Sequence, residues 1–347
     1  MIELKDNRLI FSFPEVHKDA HFSLELERTL RIPDDGRDYP LPPGLGAFPL
    51  RHVDDFGDRV PALWKRHGGV MLPMYQSEAL WLNLSSRTFF GSDGYPFAVK
   101  VATGKIDAVT GEEWTDGIHR DPQDYMVIPN QPWLDGYCVE KGTIRQFVAM
   151  PLGGGYTAEE QITGEAQHGG LQVVAYPMKA EAYRSYLEEQ RAPRFSEEAV
   201  LYDLEAMPPP MAGAAPDMGL APGGRMTQEI YEDPFDFDVW DTRHSSRCFI
   251  HIANSLAWRA ITGEPPPTPP LTSREYNEAG LPWFDYYGGD AGALEGAGTL
   301  AELKSVTQMG AEKGENPLPE NEGVDPHHVV HLGRASLKPG QVREGEF

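Results

Sequence analysis

The sequence predicts a mainly β protein, a β-sandwich or barrel-like sheet carrying a few short helices, with an α+β arrangement as the alternative. Apolar residues at even positions, Phe22, Leu24, Leu26, Leu30 and Ile32, alternate with Ser23, Glu25, Glu27, Thr29 and Arg31, the period of a strand with one wet face. The 36 glycines and 31 prolines approach a fifth of the 347 residues, which favours short strands and turns over long helices. A hydrophobic content of 40% is enough to fill a core.

After the first strand, the Asp-Gly pair and prolines of 33–50 force turns. Further strands are expected at 69–73, 79–84, 96–102, 125–128, 137–139, 143–150 and 171–176. Glu140-Lys141-Gly142 reads as a tight hairpin loop, because glycine supplies positive φ. The first long helix is expected at KAEAYRSYLEEQR, where Tyr183, Tyr186, Leu187 and Gln190 share a face. MTQEIY and CFIHIAN read as strands, and SLAWRAITG as a short helix capped by Ser255 and stopped by Gly263. These elements divide the chain into a β-rich domain at 1–205, a Pro/Gly-rich linker or loop at 206–224, a smaller α+β segment at 225–290 and an extended tail at 291–347. That tail, with a helical patch at TLAELKSV, is expected to wrap the body or fray.

The formal charge of −23, from 53 acids against 30 bases, repels phosphate backbones and anionic membranes, so neither nucleic acid nor membrane is an expected partner. Cys138 and Cys248 lack CxxC spacing, so two reduced, buried thiols are expected in place of a disulfide or thiolate metal site. The opening MIELKDNRLIFSFPEVHKDAHF carries acids and no apolar run with a cleavage site, which makes the cytoplasm the expected location.

Each apparent motif fails a chemical requirement. The triplet Gly153-Gly154-Gly155 lacks the Lys-Ser/Thr of a phosphate loop, and Glu159 and Glu160 follow in its place, so a strand-exit turn is expected. His327, His328 and His331 offer imidazoles to a metal, yet without an HExxH glutamate a β-edge with surface histidines is the plainer expectation. Six carboxylates between Glu229 and Asp241 suggest calcium, but the stretch lacks the glycine of an EF-hand loop, and solvated acids are expected. The triplet TGE recurs at 110–112, 163–165 and 262–264 at unequal intervals and reads as turn chemistry. No cofactor or metal is assigned, and no catalytic residue is identified: there is no GxSxG elbow, while carboxylates such as Asp107, Asp135 and Asp285 could pair in space. PNQPWLDG and GLPWFDYYGG share Pro-Trp-apolar-Asp, which makes Trp133, Asp135, Trp283, Asp285 and Tyr286 candidate ligand-binding residues beside Tyr287.

The stretches PNQPWLDG, RQFVAMPLGGGYTAEEQITGE, HGGLQV, GLAPGGRMTQEIYEDPFDFDVWD and GLPWFDYY resemble an uncharacterised family of bacterial and fungal proteins, over roughly 33–287. That resemblance implies no activity, substrate or fold. The sequence therefore points first to a soluble binding or assembly protein whose protein or small-molecule partner is unknown, with homo-oligomerisation open. Its alternative is a hydrolase or other enzyme using a carboxylate or metal site. A deep polar pocket with perturbed carboxylates would favour the enzyme, and a shallow aromatic groove or a large symmetric interface the binder.

Overall fold

The computed structural model describes residues 1–86, 94–190, 217–287, 292–318 and 320–333. Strand accounts for 37% and helix for 20%, so the chain is mainly β with short helices. In chain order, β1 (Ile2–Lys5), β2 (Arg8–Ser12) and β3 (His21–Thr29) form a meander. The helix α1 (Ala62–His67) leads into β4 (Val70–Met74), followed by β5 (Ala79–Ser85), β6 (Phe97–Thr103) and β7 (Met126–Ile128). A hairpin of β8 (Gly136–Glu140) and β9 (Thr143–Pro151) follows, turning at Gly142 with φ +75°, as its sequence requires. Next come α2 (Ala158–Thr163), β10 (Leu171–Pro177) and α3 (Ala180–Gln190). The chain continues with β11 (Asp217–Thr227), β12 (Ser246–Asn254), α4 (Ser255–Thr262), α5 (Ser273–Glu278), β13 (Trp283–Tyr287), α6 (Val306–Lys313) and β14 (Val329–Gly333).

Two largely antiparallel layers result. One runs β1-β2-β3-β5-β9-β11, and the other β4-β12-β10-β6-β7, with β4 parallel to β12. They join where Asp217 and Met218 of β11 pair with Ala253 and Ile252 of β12. Between them, Phe22 packs on Phe97 at 4.9 Å, and the buried Tyr137 hydroxyl lies 2.8 Å from Thr103 Oγ1 while donating to the Leu220 carbonyl at 2.9 Å. The alternation at 22–32 thus fills an inter-layer core, as a half-wet strand should.

The expected linker is corrected where it can be seen. Residues 206–216 lie outside the described set, but Asp217–Gly224 belongs to the buried β11, paired along β9. Its glycines serve close approach: a Cβ on Gly224 would sit 2.4 Å from the Pro33 carbonyl, and on Gly223 2.5 Å from Val148 Cγ2. The described residues 225–287 accordingly join the same sheet through β11 and β12. MTQEIY is strand only to Thr227. Asn254, not Ser255, caps α4, its Oδ1 accepting from the amides of Leu256 and Ala257 at 3.0 and 2.9 Å; Gly263 ends the helix at φ +78°.

The tail also packs. Leu300, Leu303, Val306 and Leu318 are buried, and α6 covers Val148, Met150 and Ala221 on the outer face of the first layer. Residues 334–347 lie outside the described set. No helix among the described residues is long and apolar enough to cross a membrane.

Candidate functional site: a histidine–carboxylate cluster

The tripeptide His-Gly-Gly occurs twice, at 67–69 and 168–170, each time directly before a strand. The strands so entered, β4 and β10, flank β12 and both begin opposite Ile250, which pairs with Val70 and with Leu171. Positive φ makes each entry possible: +64° and +81° at Gly68 and Gly69, +60° and +57° at Gly169 and Gly170. A side chain would not fit, since a Cβ on Gly69 would lie 2.1 Å from the Phe249 carbonyl and on Gly170 2.4 Å from that of Ile250.

These turns deliver two imidazoles to one face of β12. His67 stacks on Phe249 at 4.4 Å and lies 6.2 Å from His251, the next residue on that face. His168 stacks beyond His67 at 6.1 Å, and Trp64 closes the column on His251 at 4.8 Å. The His251 Nε2–H donates to the Gly68 carbonyl at 3.0 Å, which fixes the ring against the first turn.

Two acids join from other elements. Asp217, at the start of β11, accepts from Trp64 Nε1 through Oδ2 at 3.2 Å, while its buried Oδ1 has no hydrogen-bond partner among the described residues. That Oδ1 lies 3.5 Å from where a Cβ on Gly169 would be. Glu159, buried on α2, reaches across to the amides of His168 and Gly169 at 3.1 and 2.9 Å. It is free to do so because its neighbour Glu160 closes the Thr157 capping box. Gly104, at φ +56°, admits the Glu159 carboxylate: a Cβ there would be 2.3 Å from Oε2. His168 Nε2 is likewise buried without a partner among the described residues.

Burial drives the charges toward neutrality from both sides. It pushes the Asp217 carboxyl up to about 6, against the Trp64 hydrogen bond, and raises Glu159 against the two amides it accepts. It lowers His251 to about 4 and lowers His67 and His168, which the charge of Lys105 depresses further. Burial thus raises the carboxyls and lowers the imidazoles beside them, drawing their proton affinities toward one another, a tuning that general acid–base chemistry uses.

The residues singled out from sequence lie elsewhere. Trp133 and Tyr286 meet edge to face at 4.7 Å, whereas Trp283 is fully buried between Tyr39 and Tyr276. Asp285 pairs with His331 at 3.2 Å across β13 and β14, and the exposed His327 and His328 precede that strand. Asp135 is buried against Gln228, with its carboxyl pushed up to about 7 by burial. In 229–241 the expectation of solvated acids is corrected for two residues. Asp233 is buried, accepting from Tyr125 at 2.6 Å and Trp240 at 2.9 Å, and buried Asp241 holds His244 at 2.8 Å. Among the described residues no group of three or more His, Cys, Asp or Glu could hold a metal ion. The glycine triplet forms a turn at φ +89° (Gly153) and +73° (Gly155), with the Gly154 carbonyl accepting from Lys313, whose ammonium lies 4.4 Å from the Tyr156 ring centroid.

An open cleft of about 500 Å³ is lined by Thr110, Arg120, Gln123, Glu232, Asp233 and Glu295. Most of its polar groups are already engaged: Arg120 donates to the carbonyls of Phe235 and Asp233, Gln123 bridges Tyr125, Tyr231 and Asp233, and Glu295 pairs with Lys141. The histidine cluster, with unpartnered atoms, has the greater chemical capacity. No family model matches the chain, and comparison with curated proteins and with solved structures yields no match.

Proposed function

We propose that the chain is an enzyme that transfers protons at the cluster of His67, His168, His251, Glu159 and Asp217, with Asp217 as the acid and His168 as the base. The observation that carries this reading is a pair of buried atoms without a partner among the described residues, Asp217 Oδ1 and His168 Nε2, within a single cluster. A buried polar atom without a partner costs about 1–3 kcal/mol, a cost that makes sense where a substrate completes the bond. The two roles require a protonated Asp217 and a neutral His168, so turnover should be greatest on the acid side of neutrality. It should fall as pH rises through about 6, where Asp217 loses its proton. It should also fall at lower pH as the imidazole is protonated.

The test is turnover on a panel of ester, amide and phosphoester substrates and of carbon acids, with purified full-length protein. Asp217→Asn and His168→Gln should each lower the activity by roughly 100-fold or more while the protein stays folded. A folded protein inert on every class, or an activity indifferent to both variants, counts against the proposal. The binding reading without chemistry keeps one support, the 500 Å³ cleft beside Thr110 and Arg120.

A further inference from the structure

We infer that a second site, a cavity of about 330 Å³ between the glycine-triplet turn and the chain that follows α6, binds a small neutral polyol of the monosaccharide class. It shares no lining residue with the histidine cluster and does not depend on the acid–base reading. Three turns build it. Gln76 comes from the turn in which the Glu78 amide donates to the Tyr75 carbonyl at 3.2 Å, and Gly154 and Tyr156 come from the glycine triplet. Glu315 and Asn316 come from the turn that the Glu315 amide closes on the Gly310 carbonyl at 2.8 Å. Hydrogen bonds tie these turns together: the Ser77 hydroxyl donates to the Pro317 carbonyl at 2.8 Å, and the Tyr156 hydroxyl donates to Glu315 Oε2. The walls are therefore set before a ligand arrives, which lowers the entropic cost of binding.

The lining holds hydrogen-bonding capacity in both directions. The side-chain amides of Gln76 and Asn316 and the Glu315 Oε1 form no hydrogen bond among the described residues. Each amide both donates and accepts and the carboxylate oxygen accepts, a set that matches hydroxyl groups, which are themselves donor and acceptor at once. The charges at the site balance. Glu315 brings one negative charge, and Lys313 brings one positive, its ammonium donating to the Gly154 carbonyl and lying 4.4 Å from the Tyr156 ring centroid. On a chain of net charge −23, a lining so balanced suits a neutral guest rather than an ion of either sign. Met150, Pro151 and Pro317 supply the apolar part of the lining, against which the C–H groups of a sugar ring can rest. The volume is at the low end of the range for ligand pockets, about 300–1,000 Å³, and so fits one ring better than a chain of them.

The experiment labels the methionine methyl groups of the full chain isotopically and follows the Met150 resonance by NMR, assigned with Met150→Leu. The titrants are glucose, galactose, mannose, ribose and inositol, with acetamide, acetate and methylammonium as amide, anion and cation controls at fixed pH and ionic strength. A saturable shift of the Met150 signal with at least one polyol, and none with the three controls, is expected. The double variant Gln76→Ala with Asn316→Ala, changed only at exposed positions, should weaken that binding by about 10-fold through the loss of both amides. No saturable response to any of the polyols, a response unchanged in the double variant, or a saturable response to acetamide, acetate or methylammonium in place of the polyols would overturn the inference.

Discussion

Asp107 shows what burial does to a carboxyl with part of its hydrogen bonding missing. Its Oδ1 accepts from the amides of Val109 and Thr110, both at 2.9 Å, and Oδ2 is buried without a partner among the described residues. Burial pushes this carboxyl up to about 7, above its unfolded value of 3.8. The folded state therefore binds the proton more tightly than the unfolded state. Its full contribution to stability is present below pH 3.8 and declines as pH rises to about 7. Asp107→Asn keeps the accepting oxygen and removes the titration. It should match the parent near pH 4 and be more stable at pH 8, by an amount on the order of a few kcal/mol. Chemical denaturation at the two pH values checks this, and a variant less stable at pH 8 than at pH 4 relative to the parent would contradict it. The candidate residues read from sequence fared unevenly at this scale. The aromatic character of Trp133, Trp283 and Tyr286 was legible, but Trp283 is wholly buried, and residue type cannot tell a wall from a surface.

At the scale of elements, the site depends on paired turns more than on the strands they join. Alternation marks the strand that begins at 22–32, because a sheet face repeats every two residues, and the strands expected at 79–84, 143–150 and 171–176 are formed as well. The doubled His-Gly-Gly was also present in the sequence and could have signalled the site, since adjacent glycines before a strand mark a close backbone approach. What no period reveals is that both turns flank the same strand. That follows from β4 and β10 pairing on opposite sides of β12, a long-range choice made by the sheet as a whole. Gly104 tests the arrangement from another element. Gly104→Ala forces a side chain into φ +56° and places its Cβ 2.3 Å from Glu159 Oε2, so Glu159 must leave the amides of His168 and Gly169. A stability loss of about 1–3 kcal/mol is expected, with faster hydrogen exchange at Gly169. Exchange at Gly169 that stays at the parent rate would show that Glu159 does not hold this turn.

At the scale of the molecule, composition anticipated the class and missed the partition. Glycine and proline predict a loop-rich β fold, which the two layers are, but within the linker or loop expected at 206–224 the described residues 217–224 form a packed strand. Composition alone cannot distinguish a glycine needed for flexibility from one needed for contact; the difference lies in Pro33 and Val148, residues far away in the chain. The layers meet at β11 and β12, and that junction brings Asp217 beside the two histidine turns, so the cluster is a product of the complete fold. Its central property is the opposed shift of proton affinities, carboxyls up and imidazoles down, measured most directly by NMR titration of the histidine rings and of the Asp217 carboxyl in the full chain. The account predicts that His251 titrates near 4, that His67 and His168 titrate below the ordinary histidine value of 6.5, and that Asp217 titrates near 6. Three histidines titrating at or above 6.5, with Asp217 at its ordinary 3.8, would contradict it.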